Sequence, residues 1–379
     1  MDSTILTHYL LTALQASFTF TIAVLLIEFE RSLYHALCHW SDWLYGFHRY
    51  HHEMFGTSYE TKDRETELKS LLYYDFPEGF STVLFAGALL AIAYGLHAPT
   101  GMLVGLLGGF IYTFKDIVIR SLKLLDVEWA FQQDPLHLPP ELPLMPPARW
   151  SIQWTNHVRH HDHDESAYFS GRYPMLDTLL GTSVSLNNKR FAVMGDMGNF
   201  QVPVEQAVQN AGAMMLHGAP SVVMSNLANV DVLIVSALSP DTDLFECYKA
   251  MQHFFGSVQS IRDIALKEVW LVLPEDAYSL VPVSIRQLQQ RVLSNLVTLT
   301  RAEVPCIVRT VMLPVGQSQE SSDKLVADLC QSVRRDVRTI VPGRPLAGLW
   351  LGLREMGLRL YWRYRARNVD VPSLQNALR

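Results

Sequence analysis

The chain has 379 residues, 49% of them hydrophobic and 18% charged, and a formal net charge of −6. That length leaves room for two domains, and the acidity excludes a general nucleic-acid binder. Four scattered cysteines (Cys38, Cys247, Cys306, Cys330) form no CxxC pair, which excludes a disulfide framework and a cysteine-held iron–sulfur cluster.

Charge is unevenly spread. Residues 1–30 contain no Lys or Arg, and residues 79–114 contain no charged side chain at all. Ile5–Ile27 is a run of 23 uncharged residues, long enough to cross a bilayer with some tilt. It lacks the basic start and small-residue cleavage site of a signal peptide, so a retained helix is expected. Phe80–Ala98 predicts a second span, and a third, over about 101–119, begins at Gly101 after the tight turn "PTG". The third span meets Lys115, Asp116 and Arg120 early. Those groups must sit at the headgroup level or against protein, unless the span stops short. Basic residues between Arg31 and Lys69 and after Lys115, against none in the 97–101 turn, predict that both stretches are cytoplasmic.

Between and after these spans lie three histidine clusters. "YHALCHW" supplies His35 and His39, "FHRYHHEM" supplies His48, His51 and His52, and "NHVRHH" supplies His157, His160 and His161. Residues three and four apart share a helix face, so each cluster can present two or three imidazoles to one point. Eight histidines exceed the three or four protein ligands of a single zinc, and two metals is the natural count. His163 reads as peripheral, and His8, His97, His217 and His253 stand alone as structural residues. Asp162, Asp164, Glu165 and Glu53 either orient ligand N–H groups or form a solvated polar loop. Asp134–Trp150 holds too many prolines for a helix and reads as an ordered loop over the membrane surface.

The order HxxxH, HxxHH, HxxHH around a membrane hairpin resembles the fatty acid hydroxylase/sterol desaturase superfamily of membrane di-iron enzymes. Ala167–Thr182 is similar to that family's signature after the last box. Asp177, Leu179, Gly181 and Thr182 match it, and Leu180 replaces the usual Phe. The resemblance covers roughly 28–182. It implies an α-helical membrane domain over 1–186 and two iron ions, with zinc able to occupy a purified sample. It further implies O₂-dependent hydroxylation or desaturation of a lipid-like chain. Aldehyde deformylation is the alternative reaction, and a non-catalytic metal-holding scaffold the alternative role. The family's further histidine element falls on "QDPLH", where Gln133 replaces the first histidine and His137 keeps the second as a ligand. Electrons would come from a separate ferredoxin or cytochrome, since the chain has no cluster motif of its own.

From Lys189 onward, strand-like runs alternate with helical ones: "RFAVMGD", "AGAMMLHG", "VDVLIVSAL", "EVWLVLPED" and "VPCIVRTVML", with helical period over 243–266 and 283–301. Alternation of this kind predicts an α/β Rossmann-like domain with a parallel sheet over 187–345. Gly195 and Gly198 stand where a dinucleotide fingerprint belongs, but Gln201 takes the place of the third glycine. The resemblance to short-chain dehydrogenases fails at the catalytic pair. Tyr278 has Pro282 four residues on, and the other alignment puts Pro282 and Arg286 in the two places. A degenerate domain that binds NAD(P) poorly is expected. The two-part arrangement looks like proteins described as bifunctional sterol desaturase/short-chain dehydrogenase, and is similar to the wax-synthesis aldehyde decarbonylase family. Residues 346–379 read as an amphipathic basic helix and tail, fit either to lie on a membrane surface or to dock on the domain.

Overall fold

The computed structural model describes residues 3–54, 63–132, 153–217, 220–278, 284–300, 306–314 and 319–367. The proline-rich stretch, with Gln133, His137 and Pro282, lies outside them. The chain divides into two compact units, one reaching Ser183 and the other beginning at Val184.

The first unit is helical: α1 (Ser3–Trp40), α2 (Asp42–Met54), α3 (Arg64–Ser70), a π-helical turn (Leu71–Asp75), α4 (Phe76–Gly95), α5 (Thr100–Leu124), α6 (Glu128–Gln132), α7 (Gln153–Asp162) and α8 (Met175–Leu180). Three helical stretches are long and apolar enough to cross a membrane: Thr4–Trp40, Arg64–Gly95 and Thr100–Leu124. They overrun the expected spans because the charges at their ends have protein partners. Arg31 on α1 pairs with Asp116 on α5 at 2.7 Å, and Glu28 accepts from the Tyr112 hydroxyl at 2.8 Å. Arg120 pairs with Asp75 at 2.8 Å and with Glu78 at 3.3 Å. Protein neighbours therefore explain Asp116 and Arg120, while Lys115 is exposed.

Helices α1 and α5 meet along a seam of glycines four residues apart. A Cβ on Gly105 would lie 2.5 Å from the Ala16 carbonyl oxygen, and one on Gly109 would lie 2.7 Å from the Ala23 Cβ. Only glycine lets the two backbones approach so closely, which is how membrane helices gain contact where lipid gives no hydrophobic advantage.

The second unit is α/β: β1 (Arg190–Met194), α9 (Gln201–Asn210), β2 (Met214–Leu216), α10 (Pro220–Asn226), β3 (Val232–Ser236), α11 (Leu244–Gly256), α12 (Ile261–Leu266), β4 (Glu268–Pro274), α13 (Ile285–Thr300), β5 (Ile307–Leu313), α14 (Gln319–Arg334), β6 (Thr339–Ile340) and α15 (Pro345–Arg367). All strand pairs are parallel, in the order β2-β1-β3-β4-β5-β6. Strands β3, β4 and β5 are buried along their whole length, as both-face packing demands. Met251, Phe254 and Leu271 fill one face of the sheet, and Phe191, Val204, Trp270 and Val326 the other. The helical stretch expected over 243–266 is two helices, restarted at Ser260 by a capping box with Asp263. At the starts of the strands, Glu268 accepts from Lys189 Nζ at 2.9 Å and Arg309 Nε at 2.8 Å, all three side chains being fully buried. A buried carboxylate between two cations is tolerated only when fully partnered.

Candidate metal centre

Eight histidines of the three clusters converge in two adjoining groups: His35, His39, His48, His52 and His160 in one, His51, His157 and His161 in the other. Within each group, one nitrogen per ring lies within 4.8 Å of every other. Helix periodicity makes this possible. His35 and His39 share a face at the end of α1, His48 and His52 share one on α2, and His157, His160 and His161 line α7. The rings of His52 and His161 bridge the groups at 4.2 Å between centroids.

The inward spacing fits a shared ion. The Nε2 atoms of His160 and His39 are 2.9 Å apart, those of His160 and His35 3.1 Å, those of His52 and His48 3.0 Å, and those of His52 and His39 3.3 Å. Imidazole ligands at about 2.0–2.1 Å from one ion place cis nitrogens roughly 3.0–3.4 Å apart. The outward nitrogens fix the tautomers. His35 Nδ1 donates to the Phe169 carbonyl at 2.9 Å, and His160 Nδ1 to the Ala167 carbonyl at 2.7 Å, leaving each Nε2 lone pair directed inward. Burial, then neighbouring imidazoles, hold His48 and His160 far below the usual histidine range and bring His52 down to about 3. Neutral rings with free lone pairs are what a metal requires.

Carboxylates stand behind the rings. Glu165 Oε1 lies 3.5 Å from His52 Nδ1, and Glu165 also accepts from the Tyr45 hydroxyl at 2.8 Å. Asp164 instead caps its own turn, accepting from Ser166, and Glu53 is exposed. His163 joins neither group; its ring lies 6.3 Å from that of Tyr168. Sequence reasoning missed Asp75 and Tyr74. Asp75 Oδ1 lies 3.9 Å from His51 Nδ1 and is held by Arg120. The Tyr74 ring packs 4.1 Å from His48 and 4.9 Å from His51, and its hydroxyl donates to Glu78. Both residues belong to the π-helical turn, an irregularity of a kind frequent at functional sites.

The post-box signature has a structural use. Asp177, fully buried, accepts from the backbone N–H groups of Phe169 and Ser170 at 2.9 and 2.8 Å and from the Thr182 hydroxyl at 2.7 Å. Gly181 takes the left-handed conformation (φ 74°) that ends α8. Together they hold the loop whose carbonyls orient His35 and His160.

In the second unit the dinucleotide position lies at the switch between β1 and β3. Gly195 (φ 86°) has no room for a Cβ, which would lie 2.3 Å from the Ser236 carbonyl oxygen. The Gly198 N–H, which a phosphate would use, already donates to Asp196 Oδ1 at 2.7 Å. Gln201 is not what fills the turn: its side chain runs along α9 to Glu205. Arg286 donates to the Ser239 and Thr242 carbonyls at 2.7 and 2.9 Å and so braces the loop after β3.

Residues 20–182 match the family described as fatty acid hydroxylase. Over 90% of the chain, the sequence is 27% identical to monoglucosyldiacylglycerol epimerase from Synechocystis sp., covering 95% of that protein. No solved structure matches. Family match, histidine boxes and signature loop agree: the helical unit is similar to the fatty acid hydroxylase family over residues 20–182 and is joined in one chain to a Rossmann-like α/β unit.

Proposed function

We propose that the protein is a membrane-bound di-iron oxidoreductase that hydroxylates or desaturates a membrane lipid. The observation that carries this reading is the convergence of eight imidazoles into a group of five and a group of three. His35, His39, His48, His52 and His160 would hold one ion, and His51, His157 and His161 the other. His137, outside the described residues, is proposed as a further ligand. Iron so bound supplies O₂-dependent removal of hydrogen from an unactivated C–H bond, with electrons from a ferredoxin or cytochrome. The chain's own contribution is to keep the rings neutral, to fix their tautomers through Phe169 and Ala167, and to seat the site where a lipid can reach it. The α/β unit serves binding or gating, not carbonyl reduction. Asp196 already occupies the Gly198 N–H, and Arg286, in the place of the catalytic lysine, is engaged in bracing the loop after β3. The histidine boxes and the α/β unit are proposed to face the cytoplasm.

A second reading is favoured by the relative that covers both units: inversion of a carbinol centre in a glycolipid headgroup. Such an inversion removes a hydrogen from one face of the carbon and returns one to the other, so no electrons are left over. The height of the site agrees with it. On the unbroken α1, His35 and His39 lie roughly 12 and 18 Å past Ile27, the last residue of the uncharged run, at headgroup level instead of among the acyl chains. Mass spectrometry and sugar analysis of lipids from a deletion strain separate the readings. Loss of a species carrying an extra oxygen, or lacking two hydrogens, supports the first. A changed sugar in lipids of unchanged mass supports the second. A lipid profile identical to the parent's removes both.

A further inference from the structure

Helix α15 is mounted the wrong way round for a soluble protein. Its small residues face its own domain: a Cβ on Gly348 would lie 3.0 Å from the Thr339 carbonyl oxygen, and Gly352 lies over the same threonine. Beside them the buried Glu355 accepts from the Thr339 hydroxyl at 3.0 Å. The large apolar residues point outward. Leu346, Leu349, Trp350, Leu353, Leu360 and Tyr364 recur at helical spacing and are 49–80% exposed. A helix that simply docked on its domain would bury this stripe and expose the glycines.

Helix α13 packs against α15 and repeats the pattern. Leu293 points into the core, while Ile285, Leu288, Val292 and Leu296 form an exposed stripe. Single exposed leucines are ordinary, but two adjacent apolar stripes make a surface that has a partner. Its charge names that partner. In sequence the two helices carry seven arginines and one acidic residue, the buried Glu355, in a chain of net charge −6. Pairing with a second copy would set one basic helix pair against another. The outward Trp350, Tyr361 and Tyr364 are of the kind that settles at a membrane–water interface. The same chain holds three helices able to span a bilayer, which tethers this face within reach of lipid at high effective concentration.

We propose that the α13–α15 face rests on the surface of a bilayer with anionic headgroups. Its leucines and Trp350 sink about 5–10 Å to the acyl boundary, and the basic end of α15 meets lipid phosphates. The proposal is independent of what the histidine site catalyses.

The test uses the full chain in nanodiscs that hold one copy, made of phosphatidylcholine alone or mixed with phosphatidylglycerol. Spin labels go on Leu349→Cys, on Leu353→Cys and on Gln209→Cys, an exposed control on α9. The unsubstituted chain is the blank: Cys38, Cys247 and Cys306 are buried, and label on the partly exposed Cys330 is subtracted with it. Power-saturation spectra compare collision with oxygen, which concentrates in lipid, and with a water-soluble nickel chelate. The expected result is oxygen-dominated relaxation at 349 and 353, deeper in the anionic discs, with nickel-dominated relaxation at 209. Nickel access at 349 and 353 overturns the proposal, as does protection from both reagents, which would mean a protein covers the face. Depth that is indifferent to lipid charge overturns it too.

Discussion

Replacing Asp177 by alanine should loosen the metal site without touching a histidine. The carboxylate accepts three hydrogen bonds in a fully buried position, and its loss strands the N–H groups of Phe169 and Ser170. Each buried orphan costs about 1–3 kcal/mol, so the signature loop should be destabilised by roughly 4 kcal/mol. The Phe169 carbonyl that accepts from His35 Nδ1 sits on that loop, as does the Ala167 carbonyl that accepts from His160. Loss of such an orienting partner lowers metal affinity by about 10–100-fold. Burial raises the Asp177 carboxyl against the pull of its donors, so the site does not depend on an exposed, freely titrating acid. Asp177→Asn keeps the shape but sets an amide N–H against a backbone N–H, and should fall between alanine and the parent. The assay is chelator competition on the iron-loaded protein in detergent, with thermal unfolding followed in parallel. An Asp177→Ala protein that unfolds at the parent's temperature and keeps its metal against the same chelator would refute the argument.

Four further outcomes are expected. His160→Ala and His51→Ala each strike a different group of imidazoles, so each should abolish turnover and lower the metal content of the purified chain, read by elemental analysis; full metal content in both would contradict a two-ion site. Asp75→Asn should weaken metal retention by about 10–100-fold while the fold survives, read by the same chelator competition, because it stands behind His51 and is held by Arg120. Gly105→Leu should prevent α1 and α5 from closing, since even a Cβ meets the Ala16 carbonyl oxygen at 2.5 Å; a monodisperse, full-yield protein in detergent would show the seam is not needed. Tags after Lys69, after Thr182 and at the C-terminus should report the cytoplasm, and one in the turn between α4 and α5 the opposite side, by accessibility to an impermeant reagent.

The parts of the molecule that were legible in sequence are those where one local rule decides. Uncharged runs marked three spans, HxxxH and HxxHH spacing marked shared helix faces, and buried parallel strands read as continuous apolar runs such as "VDVLIVSAL". What escaped depends on residues meeting across the fold. Asp75 looks in sequence like an ordinary charge ahead of an apolar span, and only the folded chain brings it within 3.9 Å of His51 Nδ1. The helices overran their expected ends because Arg31 and Asp116, 85 positions apart, neutralise each other. Strand β6 is two residues long and gives no periodicity to read. Gln201 was the visible departure from the dinucleotide turn, yet Asp196 is what fills it, through a local hydrogen bond that no spacing rule encodes.

Helix α1 runs unbroken from the apolar segment to His35 and His39. Two of the eight converging imidazoles thus ride on a rod long and apolar enough to cross a bilayer, while the other six sit on the short helices α2 and α7. A spanning helix answers a change in hydrocarbon thickness by tilting. A tilt of about 5° pivoting near Ile27 would swing His39, roughly 18 Å farther along the axis, sideways by about 1.5 Å. Coordination distances are specified to about 0.2 Å. If α1 tilted against α2 and α7, membrane thickness would act on this site as a mechanical input.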